Sequence, residues 1–134
     1  MAVVLKPNEV EDWLPNQSYE VTVNGKRNDT TIEIPCGVFV FRKDTRNGAS
    51  DGRLYGVGEI NGATREPNGH WRFSMMIHQE PRADLFSHDL DQDVIDPNDG
   101  VIVELAEVRR ISWTRFFAVS SEVEARLMNE YFGG

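Results

Sequence analysis

Cysteine is nearly absent: Cys36 stands alone in 134 residues, with no CxxC or Cys/His spacing around it. That excludes an internal disulfide framework and a cysteine-built zinc site, and makes a reducing, cytoplasmic setting the default expectation. Long apolar runs are missing too. None approaches the roughly 18 residues needed to cross a bilayer, and the start "MAVVLKPNEVEDW" has neither a charged n-region nor a long h-region. A soluble, unprocessed protein with no membrane partner is therefore expected. The sequons "NQS" at 16–18 and "NDT" at 28–30 carry no weight without a secretory signal.

The usual signatures of chemistry are also scarce. His70, His78 and His88 make no HxH, HExxH or HxxxH spacing with one another, so they read as surface or cap histidines. "DLDQDVIDPNDG" opens like a calcium loop with Asp89, Asp91 and Asp93. It then offers Val94 where that loop needs glycine and Gly100 where it needs a bidentate glutamate. There is no GxSxG elbow, Cys36 precedes an apolar strand where a thiol is inert, and "GVGEING" lacks the GxxxxGK[ST] of a phosphate loop. No catalytic residue, metal site or cofactor is expected, and the chain reads as a non-enzyme.

The net charge of −8 looks hostile to nucleic acid, which is bound through lysine and arginine. Its distribution argues otherwise. Residues 1–83 hold ten Lys/Arg against eleven Asp/Glu, and residues 100–134 hold four against five. Asp84, Asp89, Asp91, Asp93, Asp96 and Asp99 carry the remainder in one segment without Lys or Arg. The acidity is local, and a basic face elsewhere is compatible with it.

The length suits one domain over 1–134. "PNEVEDWL" has helix-start chemistry and predicts a short N-terminal helix. "SYEVTV" alternates as a strand, "NG" at 24–25 is a hairpin signal, and "TTIEIP" reads as the returning strand. "GVFVFRK" reads as a central strand buried on both faces. "DTRNGASDG" and "NGATREPNGHW" read as exposed connections around the strand "RLYGVGEI", followed by the strand "WRFSMMIHQ". After a short helical turn near "ADLFSHDL", "VIVEL" and "RRISWTRFFAV" are expected as strands. A C-terminal helix closes the chain, with Ser121 and Glu124 as its capping box and Gly133 at its C-cap. Six or seven strands and two helices predict a mixed α+β, mainly β fold: a small pseudobarrel covered by helices.

What stands out is "VRRISWTRFF", residues 108–117, with three arginines and three large aromatics in ten positions. An unstacked base is bound by aromatic faces and edge hydrogen bonds, while cations follow the backbone. Arg109, Arg110, Arg115, Trp113, Tyr55 and Trp71 are residue types that such a site needs, against the alternative that the arginines simply face water. Gly56 and Gly58, on one face of their strand with Leu54 and Ile60, imply close approach by a backbone, a ring or a ligand.

The order "GVFVFRK", "LYGVGEI", "WRFSMMI", acidic insert, "VRRISW", terminal helix resembles a PUA-like domain of the EVE type, over residues 36–119. The likeness lies in Gly56, Val57, Gly58, Glu59 and Ile60, and in Arg110, Ile111 and Ser112. It implies a PUA-like pseudobarrel that binds DNA or RNA and reads a modified base, as related SRA and YTH domains do. Such domains serve as specificity modules of modification-dependent restriction systems, with the nuclease in a fused domain or subunit. The N-terminus departs from the EVE pattern: "DWLPNQSYE" and "GKRND" offer only Trp13 and Arg27 as counterparts.

The resulting expectation is a DNA-binding module, DNA favoured over RNA, that receives a flipped, modified base. Trp113, Trp71 and Tyr55 would stack, Gly56 and Gly58 would leave room, and Arg109, Arg110, Ser112 and Arg115 would meet the strand. Arg42, Lys43, Arg46 and Arg53 would add backbone contacts. The alternatives are an RNA-binding domain of the same class, a protein-interaction domain docking through the acidic 84–99 loop or the C-terminal helix, and a small-molecule site in the barrel mouth.

Overall fold

The computed structural model describes residues 2–7, 14–23, 33–46, 49–90, 96, 98–111 and 113–133, apart from the side chains of 45, 46, 49 and 50. The elements are β1 (Ala2–Lys6), β2 (Ser18–Val23), β3 (Cys36–Arg46), β4 (Ala49–Arg65), β5 (Trp71–Gln79), a 3-10 turn (Ser87–Leu90), α1 (Gly100–Leu105), α2 (Glu107–Arg110), β6 (Arg115–Val119) and α3 (Ser121–Tyr131). The fold is mixed α+β and mainly β. Residues 8–13 of the predicted helix over 7–14, the "NG" at 24–25 and the first half of "TTIEIP" lie outside the described residues, and Glu33–Pro35 are not in a strand.

One six-stranded sheet runs β2-β5-β4-β3-β1-β6. Its apolar residues divide by strand alternation. Ala2, Val4, Phe39, Phe41 and Leu54 face the helices, packing with Leu105, Val108, Val123, Leu127 and Phe132. Val3, Leu5, Val38, Val40, Phe73 and Met75 pack together on the other face. There the Phe73 and Phe116 rings meet edge-on at 5.1 Å, although three strands separate β5 from β6 in the sheet. The sheet is therefore strongly curled, but it is not closed into a barrel: β2 and β6 remain its two edges.

The sequence reading needs several corrections. "AVVLK" is a strand, β1, parallel to β3 and antiparallel to β6. Its four apolar residues are fully buried on both faces, the pattern of an inner strand. "DTRNGASDG" is not a loop. β3 and β4 pair without interruption from Phe41↔Leu54 to Arg46↔Ala49, while Asn47 and Gly48 lie outside the described residues. Asn-Gly between two runs is the stronger signal, and polar residues serve well on an exposed ladder. Likewise β4 extends to Arg65, leaving only a short turn before β5.

"VIVEL" and "RRI" are not strands either. Asp99 caps α1, its side chain accepting from the Val101 and Ile102 N–H groups at 3.1 and 3.3 Å. Leu105 and Val108 are buried while Val103 is 38% exposed. That is a helical spacing, since strand alternation would have put Val103 beside Leu105. At α3 the N-cap is Ser120 rather than Ser121, accepting from the Val123 N–H at 3.3 Å. Its C-terminus has Gly133 at φ 70°, as expected, and Arg82 donates to the Tyr131 and Asn129 carbonyls at 2.7 Å each.

Candidate functional site

The site begins where β1 ends. Lys6 is 5% exposed, and its ammonium donates to the Val108 and Ile111 carbonyls at 3.0 and 2.9 Å, tying β1 to the end of α2. The Thr114 N–H returns a bond to the Lys6 carbonyl at 2.6 Å, and Thr114 sits at φ 75°. A β-branched residue in that region stores of order 1–3 kcal/mol of strain. This turn holds Trp113 half-buried against β4: a Cβ on Gly52 would lie 3.5 Å from the indole Cη2 and 3.0 Å from Ser87 Oγ.

Around Trp113 lies an open cavity of about 340 Å³, also lined by Lys6, Lys43, Asp51, Ser87 and Arg109. The Lys6 and Lys43 ammonium groups lie 4.6 and 5.4 Å from the indole centroid, within cation–π range. Burial, together with the nearby Arg109 and Lys43 charges, lowers the Lys6 pKa to about 8 against a weaker opposing pull from Asp51.

Asp51 is the anionic counterpart, its side chain 1% exposed. Oδ1 accepts from the Gly52 N–H at 2.7 Å, Ser87 Oγ at 2.7 Å and the His88 N–H at 3.1 Å. His88 Nδ1 lies 2.7 Å from the same oxygen. Oδ2 is shielded from solvent and has no hydrogen-bond partner among the described residues. Burial opposes ionisation, but the hydrogen bonds from Ser87, His88 and Gly52 outweigh it and hold the carboxyl below its ordinary pKa.

Of the residues singled out in the sequence, this cavity gathers Trp113, Lys43 and Arg109. Arg109 and Arg110 lie on α2 and not on a strand. Arg110 pairs with Glu107 at 3.2 Å, and Arg115 opens β6 half-buried, its Nη1 without a hydrogen-bond partner among the described residues. Ser112, Trp13 and Arg27 lie outside the described residues, as does the Arg46 side chain.

A separate hollow of about 510 Å³ is lined by Arg42, Arg53, Tyr55, Leu14, Glu80 and Asp84, among others, and shares no lining residue with the first. Arg42 and Lys43 are successive strand residues and leave on opposite faces. In that second hollow the Arg42 guanidinium lies 5.0 Å from the Tyr55 ring. Arg53 is held by Asp44 at 2.9 Å and Asp84 at 3.8 Å. Trp71 is elsewhere again, packed beside Phe73 with Arg65 5.1 Å from its ring.

The expected single hollow between the double-glycine strand and the arginine-rich segment is thus divided. Gly56 and Gly58 make no room for a base either. A Cβ on Gly58 would fall 1.7 Å from the Met76 carbonyl oxygen, and one on Gly56 2.7 Å from Ile77 Cγ2. The approach they permit is that of β5, at the bulge between Val57 and Gly58.

The acidic segment is largely engaged in structure. Asp99 caps α1 and pairs with Arg126 at 2.6 Å, and Asp96 accepts from the Asn98 N–H at 2.9 Å. Asp91 and Asp93 lie outside the described residues. Among the described residues no group of three or more His, Cys, Asp and Glu is placed to hold a metal ion, and no helix is long and apolar enough to cross a membrane. His78 meets Asn16 at 2.7 Å.

The sequence does not single out Lys6, Asp51 or Ser87, and it offers His88 only as a surface or cap histidine. A lysine closing an apolar run was the only hint of the first, and the others come together only through the fold. Compared with known proteins, the chain matches no family model, no curated protein and no solved structure.

Proposed function

We propose that the chain is a nucleic-acid-binding module in which Trp113 receives one unstacked base while Lys6, Lys43 and Arg109 hold the adjoining phosphates. One observation carries this reading: β1 and β3 each set a lysine over the same partly exposed indole and α2 adds Arg109 to the wall of its cavity, in a chain of net charge −8. Aromatic stacking is worth about 1–3 kcal/mol per base and needs no particular sequence. Lys43 is exposed, and its flexible stem allows its ammonium to leave the ring for a phosphate as a base arrives.

The finer reading is a modified, flipped base in DNA, read by a PUA-like pseudobarrel that guides a nuclease in a fused domain or subunit. It rests on the sequence resemblance, and the curling that brings Phe73 to Phe116 fits it. The test is fluorescence anisotropy with unmodified, methylated and hydroxymethylated duplexes, single-stranded DNA and RNA, across a salt series. Neutralising three phosphates gives a slope of log affinity against log salt of about −2 to −3, and Trp113→Ala weakens binding by roughly tenfold or more. Affinity indifferent to salt, or unchanged in Trp113→Ala, refutes the assignment. Equal affinity for all duplexes removes only the modified-base part.

A further inference from the structure

The turn that carries Trp113 contains an unusual choice of residue. Among the described residues the backbone enters the left-handed region at four positions, with φ 61° at Asn16, 85° at Gly69, 75° at Thr114 and 70° at Gly133. Glycine enters that region freely and asparagine at little penalty, whereas a β-branched side chain is poorly suited to it. Three of the four positions therefore carry a tolerant residue, and Thr114 does not. Lys6 grips this turn on both sides of the indole. Its ammonium donates to the Ile111 carbonyl at 2.9 Å, its main-chain carbonyl accepts from the Thr114 N–H at 2.6 Å, and the ammonium lies 4.6 Å from the Trp113 ring centroid. Both hydrogen bonds use backbone groups of the turn, so a glycine at 114 would keep them and be free of strain.

Strain kept where a tolerant residue would preserve the same bonds points to a use for the stiffness itself. Resting on the base-binding reading above, we infer that Thr114 is a positioning residue for Trp113: its β-branched side chain narrows the turn to one backbone conformation and holds the indole in place before a base arrives. A base stacks only on a ring that already faces it, and apparent affinity falls in proportion to the fraction of molecules in which it does. Glycine at 114 lifts the strain but opens the turn to other conformations. Stability and affinity should then move in opposite directions. A threonine that served only packing would lose both together.

The experiment compares wild type, Thr114→Gly, Thr114→Asn and Trp113→Ala at matched salt. It uses thermal melts, anisotropy with a labelled mixed-sequence single-stranded DNA 12-mer, and fluorine NMR of 5-fluorotryptophan protein without DNA, in which the Trp113 resonance is the one lost in Trp113→Ala. Thr114→Gly is expected to raise the melting midpoint by about 2–5 °C and to broaden or split the Trp113 resonance. It should weaken binding roughly fivefold, as for a competent fraction of about one fifth. Thr114→Asn, tolerant of the region but with fewer conformations open to it than glycine, should fall between glycine and wild type in all three. A Thr114→Gly protein that melts below wild type, or without cooperativity, overturns the inference, because the threonine is then a packing residue. Wild-type affinity in Thr114→Gly, with Trp113→Ala still impaired, also overturns it and leaves the base-binding reading standing. A 12-mer that binds none of the proteins, or binds Trp113→Ala as tightly as wild type, overturns both.

Discussion

Lys6 makes an unusual demand on stability that can be measured without any ligand. Its pKa is about 8 in the folded protein against an ordinary 10.5, and it is 5% exposed, so little solvent screening discounts the shift. At about 1.4 kcal/mol per unit the difference corresponds to roughly 3 kcal/mol. Between these two values the unfolded chain binds more protons at this residue than the folded one, so stability rises with pH through the window. Below about pH 8 the full penalty applies; above about 10.5 it is gone. The contribution works out at about 1 kcal/mol gained between pH 7 and 9. Cys36 and Tyr131, both raised by burial, titrate in the alkaline range as well, so the signal is the difference between wild type and Lys6→Met. Urea unfolding at pH 7, 8, 9 and 10 should show wild type gaining on the variant as pH rises. Parallel curves would refute the claim that this ammonium is held charged at a cost beside Arg109 and Lys43.

Other consequences concern local structure. Gly58→Ala should destabilise by roughly 2–3 kcal/mol or prevent folding, because its methyl would meet the backbone carbonyl of Met76; a change under about 0.5 kcal/mol in urea melts would contradict the bulge. Ser120→Ala should cost about 1 kcal/mol while Ser121→Ala costs little, the reverse of what the sequence suggests, and paired thermal melts decide between them. Leu105→Ala should cost roughly 2–5 kcal/mol, whereas Val103→Ala, at an exposed position, should leave the melt nearly unchanged.

The strands most legible in the sequence were those whose alternation or apolar run matched their burial: β2, the first half of β3, and β5. β1 escaped because five residues before a proline were weighed only as a targeting signal, although their complete burial gives them the composition of an inner strand. α1 escaped because Val and Ile favour strands by propensity. The cap from Asp99 and the spacing of Leu105 and Val108 outweighed that preference. Composition points to a loop at the polar ends of β3 and β4, whereas ladder pairing needs only backbone groups. At the site, Trp113, Lys43 and Arg109 were visible as residue types, but their meeting with Lys6 and Asp51 depends on parallel pairing of β1 with β3 and on a helix where a strand was expected. Tyr55 and Arg42 were separated from Trp113 by the same alternation that defines the strand.

The acidity of the chain need not oppose phosphate binding, because screening confines each charge to about 8–10 Å at ordinary salt and many of the acids are matched locally. Asp99 is held by Arg126 and Asp44 by Arg53, so at Trp113 three cations face a single carboxylate. Two of those cations should be separable by different readouts. Lys43 is exposed, so Lys43→Gln should lower the salt slope of binding by about one. Lys6 loses its proton near pH 8, so wild-type affinity should fall as pH rises through that value. The fall should persist in Lys43→Gln and disappear in Lys6→Met. If Lys43→Gln abolishes the pH dependence as well, the two ammonium groups act as one coupled unit, and the separate roles assigned to the buried and the exposed lysine are wrong.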